Sequence, residues 1–338
     1  MRRTELDLCR ITACLGVILS HATADGFHME PIWTWRFWIL CLVSTVVRAT
    51  IPQFFMISGT LLLERETMDP WKTLRKRTGH LWGLFLFWSL AYALLRAATG
   101  AFDSFYDFIS AVVVGQYHLW FLPAMALVYL FMPVVHAAIH GNRMDPRYLL
   151  FLFLFLGIFI ANFNLTPDTS LLLYRITLNF SLDYLPHLGY AVWGWWLARR
   201  QMPRQTLWLA PLIFTATLIA ATQANFWYSS YKAEADGWLF NFFSLPNFLM
   251  GTSAWCFFLA LRGRSFPHAK TVTAIADCTL GVYLLHPMVL NVLKRLGLVV
   301  RPEHVLGDTA LRYVLLVALT FPAVWVLRRI PGIRKLLA

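Results

Sequence analysis

Apolar runs of about 18 residues or more recur along this chain, joined by short connectors rich in Lys and Arg, and they leave little choice of architecture. A helix of that length matches a hydrocarbon core of about 30 Å. In lipid every backbone N–H and C=O must be paired internally, so only helices and closed barrels span. A barrel would show short alternating segments, which are absent here. With 59% of 338 residues hydrophobic and 14% charged, the chain is too apolar for an ordinary soluble protein. It reads as all-α, a polytopic membrane helical bundle. We predict ten spans, at about 6–23, 33–63, 81–99, 118–139, 148–163, 182–198, 207–224, 238–261, 271–292 and 309–327. They form one integral-membrane domain over residues 1–338, without short-period repeats or low-complexity segments.

Lys and Arg set the orientation. With the N-terminus inside, 19 of the 29 fall on the cytoplasmic side, so both termini are predicted to be cytoplasmic. That bias also accounts for the net charge of +12, and nucleic-acid binding is not expected. Cys9, Cys14, Cys41, Cys256 and Cys278 all lie in predicted spans with no metal-like spacing, so neither a metal site nor a disulfide framework is expected. Arg2 and Arg3 precede an apolar run that Glu5, Asp7 and Arg10 interrupt, which reads as a retained signal-anchor helix.

That opening run, ELDLCRITACLGVILSH from Glu5 to His21, carries charge where a membrane segment is costly to charge. As one helix it places Arg10 and His21 about 20° apart in azimuth and roughly 16 Å apart along the axis. They share a face, which we expect the other helices to enclose. The second span, 33–63, would measure roughly 45 Å if straight, and Pro52 supplies the expected break. Arg48 lies one turn before it, and Ser58 with Gly59 beyond it. The connector ERETMDPWKTLRKRTGH is the most basic in the chain. It either holds an anion or is a plain positive-inside loop. Asp183, Tyr184 and His187 open the sixth span, and the ninth, TAIADCTLGVYLLHPMVL, carries Asp277, Tyr283 and His286.

ELDLCR with Arg10 and His21, then FFMISGTLL, HLWFL and GVYLLHP, in this order, resemble the acyltransferase-3 family of membrane acyltransferases. The chain is similar in particular to bacterial members that O-acetylate surface polysaccharides such as enterobacterial common antigen. The resemblance covers almost the whole chain. It implies a bacterial inner-membrane enzyme that moves an acetyl group from cytoplasmic acetyl-CoA to a hydroxyl of a glycan or lipid-linked sugar. It further implies that Arg10 and His21 are the essential pair of the first helix, and Ser58 with Gly59 the motif of the second.

On that expectation His21 is the general base. Arg10 stays charged and either holds a CoA phosphate or pairs with Asp7 one turn earlier. Arg75, Lys76 and Arg77 are further candidates for CoA phosphates. Ser58 either donates a hydrogen bond to the oxyanion or serves tight packing. Arg48, Asp183, Tyr283 and His286 are candidates for acceptor binding, the last two alternatively as helix-end anchors before Pro287. Two rival readings are a proton-coupled transporter of a polysaccharide precursor and a non-catalytic subunit of a glycan-assembly complex. Against the transporter stands the lack of repeated hydropathy halves.

Overall fold

The computed structural model describes residues 2–141, 147, 184 and 186–337. In chain order the helices are α1 (Thr4–Met29), α2 (Trp35–Arg48), α3 (Thr50–Leu63), α4 (Pro70–Thr73), α5 (Gly79–Ala97), α6 (Phe105–Val114) and α7 (Phe121–His140). There follow α8 (His187–Ala198), α9 (Thr206–Lys232), α10 (Leu245–Ala260), α11 (Ala269–Ala276), α12 (Thr279–Arg295), α13 (Val305–Leu327) and α14 (Pro331–Arg334). No strand occurs among the described residues. Among the described residues six helical spans are long and apolar enough to cross a membrane, and a seventh results if α11 and α12, bent by 53° at Asp277 and Cys278, count as one. The chain is therefore a polytopic helical membrane protein. The expected span at 148–163 and the start of that at 182–198 lie outside the described residues.

The break in the second span falls at Ala49, three residues before Pro52. A proline ring clashes with the carbonyl four residues back, here that of Arg48, so the helix is interrupted on the N-terminal side of the ring. Polar side chains repair the opened turn: Thr50 Oγ1 donates to Val47 O at 2.6 Å, and Gln53 Nε2 donates to Ala49 O and Gly251 O at 3.1 and 2.9 Å. A second difference concerns the span expected at 238–261. Helix α10 begins only at Leu245, after Ser244 at the N-cap and with Pro246 in its first turn. The apolar residues before it form a loop with one 3-10 turn, Trp238–Phe240.

Two compact units are formed, one from Met1–Ile57 with Leu197–Ala338 and the other from Ser58–Trp196. In the first, α1 packs against α2, α10, α11, α12 and α13. Along α1 its contacts with α11 and α12 fall seven residues apart, and on the facing elements they step by six and then seven. Thr273 Oγ1 donates to Asp7 Oδ2 at 3.1 Å, the Cys14 thiol donates to Thr279 O at 3.6 Å, and the rings of His21 and His286 lie 5.0 Å apart. The offset between the partners is nearly constant, which means that the elements run parallel. Against α2 and α3 the helix runs antiparallel. Gly26 faces Leu40, and Gly16 is pressed against Thr50, where a side chain on either glycine would collide.

In the second unit α5 packs against α6 and α7. Gly59 of α3 meets the backbone of α8 at the Ala191 carbonyl, leaving no room for a Cβ. The close approach expected of this glycine is thus realised.

Candidate active site

Asp7 is the hub of the N-terminal end of α1, buried to 3% exposure. Its tightest partner is Arg2, whose Nε donates to Oδ2 at 2.7 Å and whose Nη2 donates to Oδ1 at 3.2 Å. The expected pair with Arg10 is present but long, 3.5 Å from Nη1 to Oδ1. Arg10 is thus oriented by Asp7 while committing little to it, which leaves a partly exposed guanidinium able to take an anion. Arg2 also reaches Asp277 Oδ1 at 2.6 Å. Its hydrogen bonds to Asp7 and Asp277 hold the guanidinium protonated even more firmly than usual. Asp277 therefore stands at the bend between α11 and α12, paired and accessible, and not inside an unbroken span.

Further along α1, His21 meets His286 of α12. His286 is fully buried, and its Nδ1 lies 3.1 Å from the carbonyl of Val282. A carbonyl only accepts, so Nδ1 carries a hydrogen. The ring of Tyr283 lies 6.3 Å from that of His286. Three residues proposed from the sequence are thereby assembled, and His286 becomes a direct neighbour of the expected base. Between Arg10 and His21 on the same face, Cys14 and Val17 are buried, Cys14 in an apolar cluster with Cys278, Val282 and Leu290. Within this unit the two side chains act at separate depths on either side of packed residues.

One turn beyond His21, Asp25 Oδ2 accepts from Lys294 Nζ at 2.7 Å and from Arg312 Nη1 at 2.6 Å. This carboxylate ties α1 to α12 and α13 just past the imidazole pair. Arg48 lies where α2 breaks, its guanidinium over the rings of Phe240 at 4.8 Å and Phe242 at 5.9 Å.

In the second unit Ser58 Oγ is hydrogen-bonded to the hydroxyl of Tyr129 on α7 at 3.2 Å. The guanidinium of Arg77 covers the ring of the same tyrosine at 5.9 Å. Arg75, Lys76 and Arg77 lie on a π-helical turn, Leu74–Thr78, inserted between α4 and α5. Such inserts shift the register of the following side chains and recur at functional sites. Here Arg75 and Lys76 are exposed, whereas Arg77 is half-buried beside Tyr129. Partial burial, followed by the Arg77 charge, lowers the pKa of Arg65 from its ordinary value, so two cations crowd together as an anion would require. His136 Nε2 donates to Arg65 O at 2.7 Å and His140 Nε2 to Leu63 O at 2.9 Å, with their rings stacked at 4.2 Å. The two imidazoles cap the loose end of α3 and hold Arg65 in place.

Tyr129, His136 and Arg65 were not singled out from the sequence, although Tyr129 and His136 are polar exceptions in the apolar run of α7. Asp183 lies outside the described residues. The five cysteines are unbridged, and among the described residues no three His, Cys, Asp or Glu side chains are grouped to hold a metal ion.

A helical membrane scaffold that carries an imidazole pair on one unit and, separately, a serine–tyrosine pair beside arginines on the other defines a class of multi-pass membrane protein with polar side chains on its helices. The match of the whole stretch 3–329 to the model described as an acyltransferase domain makes it specific: the chain belongs to the acyltransferase-3 family and is a membrane acyltransferase. No curated protein and no solved structure matches it.

Proposed function

We propose that the chain is an acetyl-CoA-dependent O-acetyltransferase of the bacterial inner membrane, acting on a hydroxyl of a surface glycan or a lipid-linked sugar, with both termini in the cytoplasm. The observation that carries this reading is the contact of His21 with His286 on the helix that packs against five others. His21 takes the proton of the acceptor hydroxyl as its oxygen bonds to the acetyl carbon. On collapse of the tetrahedral intermediate the C–S bond breaks, and the imidazolium returns the proton to the leaving thiolate. The placement of His286 supports this role, because its Nδ1 hydrogen is bound to Val282 O and its ring is held against that of His21.

Ser58, steadied by Tyr129, is the hydrogen-bond donor to the oxyanion. Arg10 takes a phosphate of acetyl-CoA, and Arg77 with Arg75, Lys76 and Arg65 offers further cationic contacts for its nucleotide end. Arg48, Tyr283, His286 and Asp183 serve the acceptor.

Radiolabelled acetyl-CoA supplied to membranes containing the wild-type protein should label the glycan fraction. His21→Ala should abolish the label while the protein still inserts and runs monodisperse in detergent. Labelling near the wild-type level by that variant would remove His21 as the base.

A further inference from the structure

Arg48 makes no hydrogen bond and no ion pair among the described residues, and its Nε is shielded from solvent. In the same unit Arg10, Arg36 and Arg312 each face a carboxylate, on Asp7, Glu30 and Asp25. A lone guanidinium in an apolar span is expensive, and the two phenylalanine faces beneath it return only about 0.5–2 kcal/mol. The donors at the edge of a guanidinium have the fork geometry that fits a carboxylate or phosphate.

The surroundings are built and not incidental. The loop that brings Phe240 and Phe242 onto Arg48 is pinned by polar side chains in an apolar setting. Asn225 Oδ1 accepts from Leu239 N at 3.1 Å, and Asn247 Nδ2 donates to Leu239 O and Asn241 O at 2.9 and 2.6 Å. Ser229 Oγ bonds both the carbonyl and the amide of Asp236 at 3.0 Å. Irregular backbone survives at membrane depth only where it is satisfied in this way, usually beside a cavity. The antiparallel pairs Gly26 with Leu40 and Gly16 with Thr50 put Arg48 level with Ile18, one turn from His21.

We infer that the acceptor is anionic: a carboxylate or phosphate of the glycan docks on the Arg48 fork and thereby presents a neighbouring hydroxyl to His21. This inference rests on the acyltransferase reading above and names its substrate class.

The test uses the full chain in nanodiscs with radiolabelled acetyl-CoA and three probes: methyl β-D-glucuronide, its neutral methyl ester, and glucose 1-phosphate. The wild-type protein should acetylate a charged probe with kcat/KM at least about tenfold above the ester, as a charge-assisted hydrogen bond implies. Preference between the two charged probes identifies carboxylate or phosphate as the docked group. Arg48→Gln should erase the preference chiefly through KM, and Arg48→Lys should keep part of it, both variants being checked for monodispersity. Equal use of charged and neutral probes by the wild type, or an equal loss on all probes in Arg48→Gln, overturns the inference. If no probe is acetylated, the acyltransferase reading is what fails for these acceptors, and thermal shift decides the anion site separately. A shift with glucuronide or glucose 1-phosphate but not the ester, lost in Arg48→Gln, upholds it, and no shift with either charged probe refutes it.

Discussion

Asp25 offers the sharpest test of how the imidazole pair is held. One carboxylate serves two cations, Lys294 and Arg312, and the arginine side chain is only 1% exposed. Asp25→Asn keeps the shape and removes the charge. Lys294, about one-third exposed, can turn its ammonium to water. Arg312 cannot, and retains only a 3.3 Å hydrogen bond to Leu298 O. Removing one partner of a fully buried pair costs about 3–5 kcal/mol, and because Asp25 is itself 35% exposed we expect about 2–3 kcal/mol. The measurement is chemical unfolding in mixed micelles, followed by tryptophan fluorescence. In Asp25→Asn/Arg312→Leu the stranded charge is gone, so the double variant should be less damaged than the two single costs added together, by about 1–3 kcal/mol of coupling. Strict additivity, or a cost below about 0.5 kcal/mol for Asp25→Asn, would show that the carboxylate does not hold the guanidinium in place.

Gly59→Ala should lower the unfolding free energy by about 1–3 kcal/mol, because the new methyl meets the backbone of Ala191 and not a movable side chain. An unchanged melting temperature would mean that the two helices are not in close approach there. Tyr129→Phe keeps the ring under Arg77 but removes the hydroxyl from Ser58, and should reduce kcat/KM for acetyl-CoA about 5- to 30-fold. Ser58→Ala/Tyr129→Phe should be no worse than the more damaging single variant, and multiplying losses would separate the two residues.

Much of the architecture follows from composition and periodicity, since burial in lipid enforces helices wherever an apolar run is long enough. The spacing of Arg10 and His21 on α1 and the break near Pro52 are properties of a single helix and could be read locally, and a glycine at position 59 marked a place where another helix could come close. Two apolar segments show where such reading ends. Residues 238–244 are as hydrophobic as a span, yet they form a loop because Asn225 and Asn247 bind their backbone and Ser229 binds that of Asp236 just before them, and these partners sit on the neighbouring helices α9 and α10. Ser244 and Pro246 were a legible start for α10, outweighed by the hydrophobicity before them.

By itself, then, the sequence determined that the chain crosses the membrane as helices, which family it belongs to, and that α1 carries a cation and an imidazole on one face. Tertiary structure alone decided which charges meet. Asp7 has Arg2 as its closest partner, Asp277 also pairs with Arg2, His286 lies against His21, and Arg48 has phenylalanine faces in place of a carboxylate. The physical reason is that helix periodicity tells a residue its face but not its neighbour, and a neighbour hundreds of positions away is set only when the helices pack.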